Sequence, residues 1–273
     1  MTEWLYEDEL RLAELNVPRA ALQFARTLAY PGLDVAGYMA VLHDLSETAA
    51  ERVDLSQPVT GQAQQLAGYL FGELGFGGDQ AAYADPRNSY LNEVLDRRLG
   101  LPIALSVIYI DVAQRLGIPA YGIGLPGHFI VGVHGREGEL WLDPFHGGQR
   151  LDLADCAALI HLAIGYDGPL EAAWFTPMPP RDILARMLNN LRAGYVQTGA
   201  WNEAAAVIRL LRQTQPAAAE HLRDLGLVYY QQRRLTQAAH YLDAYLQRAP
   251  DAADAQVIRD GMKDLLDEWV AQN

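Results

Sequence analysis

The chain has 273 residues, 21 Lys+Arg against 34 Asp+Glu, a single cysteine and 50% hydrophobic residues. That apolar share excludes a disordered chain and supplies core for one large domain or two modest ones. The net charge of −13 speaks against nucleic acid and anionic membranes as partners, and the lone Cys156 excludes a disulfide framework or a thiolate zinc site and leaves the cytoplasm as the expected compartment.

The charge is uneven. Residues 1–180 hold 10 basic and 23 acidic side chains, whereas residues 181–273 hold 11 of each, which suggests two modules. Met1–Leu15 is acidic and shows no basic region ahead of an apolar run, so no targeting signal is expected. The apolar stretch Ile103–Ala113 is interrupted by Ser106 and Asp111 and is too short to span a bilayer.

The first part of the chain reads as helical. A short helix is expected at Leu10–Leu15. Pro18 suits the first turn of a helix over Ala20–Ala29, which stops before Pro31. Leu33–Val53 carries Val35, Tyr38, Met39, Leu42 and Leu45 at helical spacing. Gly61–Leu74 is a further helix, and Gly75–Asp79 a loop. Asn88–Arg97 and Leu101–Leu116 follow, with Gly100 ending one and Pro102 starting the other.

After Gly117-Ile118-Pro119 the apolar period drops to two. Ala120–Leu125, His128–Val133 and Leu140–Asp143 read as short strands. A hairpin turn at residues 134–137 sets His128 directly opposite Asp143, with both side chains on one face. A turn at 136–139 would bring His128 opposite Gly147, next to His146. The first register is preferred because it sets Phe129, Val131 and Val133 opposite Leu142, Leu140 and Gly138. A carboxylate beside an imidazole fixes its tautomer and raises its basicity.

Trp174–Pro180 has three prolines in four positions and cannot be helical, so the domain boundary is expected there. Beyond it, a shift of 34 residues superposes Leu191 on Leu225, Tyr195 on Tyr229, Trp201 on Leu235, Ala204 on Ala238 and Pro216 on Pro250. The small alanine lets two helices approach closely, and the proline closes each unit. This period and pattern resemble the tetratricopeptide repeat. Asp182–Leu191 leads into the first repeat, and the amphipathic stretch Ala253–Val270 is expected to cap the last. Tyr195, Trp201, Tyr229 and Tyr230 are read as core aromatics.

Three segments carry the polar residues of interest: Asn88-Ser89-Tyr90-Leu91-Asn92-Glu93, Gly124-Leu125-Pro126-Gly127-His128-Phe129, and Leu142-Asp143-Pro144-Phe145-His146-Gly147-Gly148. Together with the stretch NEVLDRRLGLPIALSVIYIDVAQRLGIPAYG and the C-terminal repeats, they resemble the SirB1 family, which joins a transglutaminase-like core to tetratricopeptide repeats. At greater distance the core is similar to papain-like transglutaminases. The resemblance implies an α+β fold over residues 1–175, with a helical segment (1–80) and a core with an antiparallel sheet (81–175). An all-α repeat module follows over residues 181–273. It also implies that His128 and Asp143 match the His and Asp of the superfamily's catalytic triad.

The same resemblance places the nucleophilic Cys fifteen residues before Gly117, and Pro102 stands there. Proline offers no thiol, hydroxyl or amide proton. Cys156 reads as a small buried residue. Ser106 lies one turn after Pro102, but a mid-helix serine usually bonds the carbonyl four residues back. The expected function is therefore a non-catalytic interaction protein. The alternative is an amide hydrolase or acyl transferase using His128, Asp143 and either Ser106 or water.

Asn88, Asn92, Glu93, His128, Asp143 and His146 are the candidate binding residues, and several of these and of the other polar residues also have structural readings. Asn88 suits a helix N-cap, and Asn92 and Glu93 suit hydrogen bonds to loop backbone around Gly124–Gly127. Arg97 and Arg98 suit a helix C-terminus. Gly122, Gly124, Gly127 and Gly132 mark close backbone approach rather than a phosphate loop. His128, Asp143 and His146 are metal-ligand types at loose spacing, and no metal or other cofactor is expected. The expected partner is a protein or peptide docked on the repeats, with no nucleic acid and no membrane.

Overall fold

A computed structural model describes residues 5–136 and 138–262. The chain forms two compact units, one ending at Met187 and the other beginning at Leu188.

The first unit opens with α1 (Tyr6–Leu10) rather than a helix at Leu10–Leu15. Glu7, Asp8 and Glu9 crowd its first turn, where acidic groups suit the helix dipole, and the Asp8 carboxylate accepts the Leu5 amide at 2.9 Å. In α2 (Val17–Leu28) Asn16 is the N-cap, accepting from the Arg19 amide, and Pro18 sits in the first turn. α3 (Val35–Ala50) is capped by Asp34. α4 (Val59–Ala67) runs into a π-helical turn, Gly68–Glu73.

Two two-residue strands were not legible. β1 (Gly77–Gly78) pairs in parallel with β2 (Leu99–Gly100) on either side of α5 (Leu91–Arg97). A β-carbon at Gly78 would lie 2.4 Å from the Phe145 ring, so only glycine lets that ring close over the ribbon. α5 starts three residues later than expected. Asn88 is not its N-cap but lies in a 3-10 turn, Pro86–Ser89, and Arg98 ends the helix in the left-handed region at φ 60°.

α6 (Pro102–Arg115) is the central helix, with Pro102 at its first position. Ala104, Tyr109, Val112 and Ala113 have no exposed surface. The Tyr109 hydroxyl donates to the Ala63 carbonyl at 2.7 Å, and its ring stacks on Phe71. α2 and α3 pack against α6, as do β3 (Ala120–Ile123) and β4 (Ile130–Gly135). Each fully buried Leu, Ile or Val here contributes about 1.5–3 kcal/mol.

β3 and β4 continue into β5 (Gly138–Asp143) and β6 (Gln149–Leu151), forming one antiparallel sheet in the order β3-β4-β5-β6. The hairpin register lies midway between the two considered from sequence. Gly135 pairs with Gly138 and Val131 with Leu142, so His128 and Asp143 are not directly opposed. β6 and α7 (Leu153–Ile164) complete this part, with a reciprocal cap between Asp152 and Asp155 at the helix start. The proline-rich stretch docks on β3: Ile123 bridges Pro177, and the Met178 amide donates to the Gly122 carbonyl at 2.8 Å. Helix α8 (Pro180–Gln197) starts on a proline.

The second unit contains α9 (Trp201–Thr214), α10 (Glu220–Gln231) and α11 (Leu235–Arg248). Ala204, Ala238 and Leu225 are fully buried, as the 34-residue period requires. A β-carbon at Gly226 would sit 2.6 Å from Leu242. Tyr229 is buried and Tyr195 and Trp201 pack against the same core, but Tyr230 faces solvent at 38% exposure and is not a core residue. Of the expected cap, residues 253–254 form a turn and 255–262 are helical, and positions 263–270 lie outside the described residues.

Candidate functional site

Asp143 ends β5 and caps the short turn Pro144–His146, its Oδ1 accepting the Phe145 amide at 3.0 Å. The other oxygen serves two imidazoles. His128 Nε2 lies 3.0 Å from Oδ2 and His146 Nδ1 lies 2.7 Å from it. Asp143 is fully buried, and the His146 side chain keeps 35% of its surface exposed. Burial acts to raise the Asp143 pKa, but hydrogen bonding and charge from His128, then His146, outweigh it and hold the carboxyl below its ordinary range.

Strand parity explains how His128 reaches the carboxylate despite the shifted register. A two-residue slip leaves every side chain on its original face. His128 precedes β4 in a turn where Gly127 has φ 72° and the His128 amide donates to the Leu125 carbonyl. Phe145 stands edge-on to the His128 ring, with centroids 6.2 Å apart.

Sequence reasoning missed Arg186. It is half-buried on α8 and donates to the carbonyls of Leu125 at 2.7 Å and His128 at 2.5 Å. Its guanidinium lies 5.5 Å from the Phe129 ring centroid, and burial lowers its pKa. This cation fixes the backbone that presents His128. It is also the group that fastens the Leu125–His128 loop in place of Asn92 and Glu93, which make no hydrogen bond there among the described residues. The Asn92 Oδ1 is buried and has no partner among the described residues.

Asn88 acts elsewhere. Its Nδ2 donates to the Ala82 carbonyl at 2.7 Å and its Oδ1 accepts from Arg97 at 3.1 Å. Arg97 also pairs with Asp79 at 3.1 Å, so it is more than a dipole complement. The Asn88 carbonyl accepts the Leu101 amide at 2.9 Å. This network holds the chain immediately before Pro102.

Pro102 is buried and its carbonyl accepts the Ser106 hydroxyl at 2.8 Å. Ser106 has no exposed surface. Cys156 lies in a separate apolar cluster with Ile123, Ile130 and Ile160, and burial pushes its thiol up to about 12. The arrangement therefore supplies an imidazole and a carboxylate, while the three side chains weighed as partners offer no free nucleophile.

Among the described residues no helix is long and apolar enough to cross a membrane. Residues 36–189 match the transglutaminase-like superfamily and residues 191–263 match the tetratricopeptide repeat. A UPF0162 protein of Xylella fastidiosa is 38% identical over 259 residues, covering 94% of this chain and 92% of its own length. A UPF0162 protein of Pseudomonas aeruginosa is 31% identical over 74% of this chain and 71% of its own. The mouse F-box only protein 21 is 32% identical over 130 residues, or 45% of this chain and 20% of that protein. Core, repeats and relatives agree: the chain belongs to the transglutaminase-like superfamily, among the UPF0162 proteins of the SirB type that carry tetratricopeptide repeats.

Proposed function

We propose that the protein is a non-catalytic member of this superfamily, a pseudoenzyme that docks a protein or peptide partner on its repeats. The observation that carries the reading is Pro102 at the start of α6. An acyl-transfer site needs a nucleophile beside its imidazole, and a proline side chain cannot supply one. Ser106 spends its hydroxyl on the Pro102 carbonyl, which argues against the serine alternative. On this reading His128 and Asp143 have a positioning role, tying the loop before β4 to the end of β5.

The docking half of the proposal draws on the repeat match, since such repeats generally mediate protein–protein contacts. The second unit has a groove of about 410 Å³ with Val196, Leu227 and Val228 among its lining residues and Arg192, Arg223 and Asp224 beside them. Val196 and Leu227 are 41% and 43% exposed, an apolar strip suited to a helix or extended segment. A cytoplasmic address and the division at residues 175–181 belong to the same proposal.

The test assays the full chain against a panel of peptide amides, glutamine amides and thioesters beside His128→Ala. No turnover above the variant is expected. Turnover that vanishes in His128→Ala overturns the reading. For the docking half, proteins retained by the full chain should be lost with Leu227→Glu; retention unchanged by that variant overturns it.

A further inference from the structure

We propose that His128, Asp143 and His146 form a mononuclear site for a divalent transition metal, with zinc as the fitting ion. Among the described residues they make up the one group of three His, Cys or acidic side chains whose ligand atoms converge, all within 4.8 Å of one another. The atoms are Nε2 of His128, Oδ2 of Asp143 and Nδ1 of His146.

The donor set selects the class of ion. Two imidazoles and one carboxylate suit zinc and other first-row divalent metals, whereas calcium and magnesium prefer an all-oxygen shell. Three protein ligands leave a fourth tetrahedral position for water or another small ligand. The exposed edge of His146 is the open side.

The surroundings orient the ligands. The Phe145 amide holds Asp143 Oδ1 at 3.0 Å, which leaves Oδ2 facing the two rings, as an outer-shell hydrogen bond does in metal sites. Asp143 and His146 are three residues apart across one tight turn, and Gly147 and Gly148 follow it in the left-handed region at φ 71° and 72°. That turn folds the His146 ring back over the carboxylate. Arg186 fixes the His128 backbone by bonding its carbonyl.

Two imidazole N–H groups aimed at one carboxylate oxygen is the proton-filled form of such a site. The metal takes the place of those two hydrogens. Each neutral imidazole then carries its proton on the other ring nitrogen, and His128 Nδ1 has no hydrogen bond among the described residues that would resist this. Tetrahedral coordination at about 2.0–2.1 Å brings ligand atoms to about 3.4 Å apart. The two His–Asp contacts, at 3.0 and 2.7 Å, lengthen to make room for the ion, with His146 as the exposed ligand that adjusts.

Isothermal titration of the tag-free, chelator-stripped full chain with zinc tests the site, alongside the visible spectrum with cobalt as substitute. One equivalent of zinc and a tetrahedral cobalt spectrum are expected. His146→Ala should weaken zinc binding by at least tenfold and abolish that spectrum, while the metal-free variant still melts in one cooperative transition. His134→Ala, which alters an exposed His–Glu pair, should bind as the native chain does. No stoichiometric zinc uptake, or uptake unchanged in His146→Ala, overturns the proposal.

Discussion

His128 and Asp143 lie 3.0 Å apart at the end of a hairpin whose register does not pair them. The contact survives because the slip is two residues, which preserves the face of the sheet. Asp143 also accepts the Phe145 amide and His146, so one buried carboxylate satisfies three donors. Asp143→Ala in the metal-free chain should cost about 3–5 kcal/mol, since it orphans a buried amide and a buried imidazole. Asp143→Asn retains an acceptor for the Phe145 amide and should cost less. Urea denaturation of both variants in the presence of chelator checks the ranking.

Pro102→Cys asks whether only the nucleophile is missing. The site is buried at the first turn of α6, where cysteine tolerates the backbone but loses proline's pre-set φ, a loss of about 0.4–1 kcal/mol. We expect the new thiol to react with iodoacetamide no faster than free cysteine and to confer no amide turnover. Cys156 should stay silent in the same experiment, because it is fully buried and its thiol is pushed up to about 12. Alkylation of Pro102→Cys faster than free cysteine, with the excess lost on adding His128→Ala, would refute this expectation.

Long amphipathic elements were legible because their period repeats several times: α3, α6 and the 34-residue repeat all follow from spacing. β1 and β2 have two residues each and β6 has three, too few for any period to register. The α5 start was misplaced because Asn88 turns its side chain to the Ala82 carbonyl and Arg97 instead of the helix amides. At the site, His128 and Asp143 were legible through strand parity, and His146 through its place in the same segment. Arg186 was not, because its partners are backbone carbonyls 61 and 58 residues away, and carbonyls leave no mark in a sequence.

Arg186 therefore carries a prediction of its own. Its guanidinium bonds two carbonyls of the Leu125–His128 turn and lies over Phe129. Arg186→Met removes both charge-assisted bonds and should cost about 3 kcal/mol. Arg186→Lys should recover only part of this: both bonds leave one guanidinium nitrogen, which an ammonium can imitate, but the shorter, non-planar head gives up the contact over the Phe129 ring. Hydrogen exchange should speed up at the His128 and Phe129 amides in both variants. Exchange unchanged at those amides would mean that the turn holds itself.

The last prediction concerns the repeat unit. His221 on α10 is 3% exposed, and among the described residues neither of its ring nitrogens has a partner. Burial lowers its pKa, and Arg192 on α8 and Arg212 on α9 act in the same direction, while Glu220 and Asp224 on α10 oppose them. The folded chain thus resists the proton that the unfolded chain accepts at its ordinary pKa of 6.5. Above that pH the residue contributes no pH dependence. As pH falls below it, protons bind the unfolded state preferentially, and stability drops by at most about 1.4 kcal/mol per pH unit until the folded pKa is passed. His221→Leu removes the titrating group and two orphaned nitrogens while keeping an apolar side chain in the core. Its stability should exceed that of the native chain at pH 5.5 by more than at pH 7.5, read from urea midpoints at both values. Carboxylates titrate in both chains alike, so the difference between them isolates the imidazole; an equal gap at the two pH values would show that His221 is protonated as readily folded as unfolded.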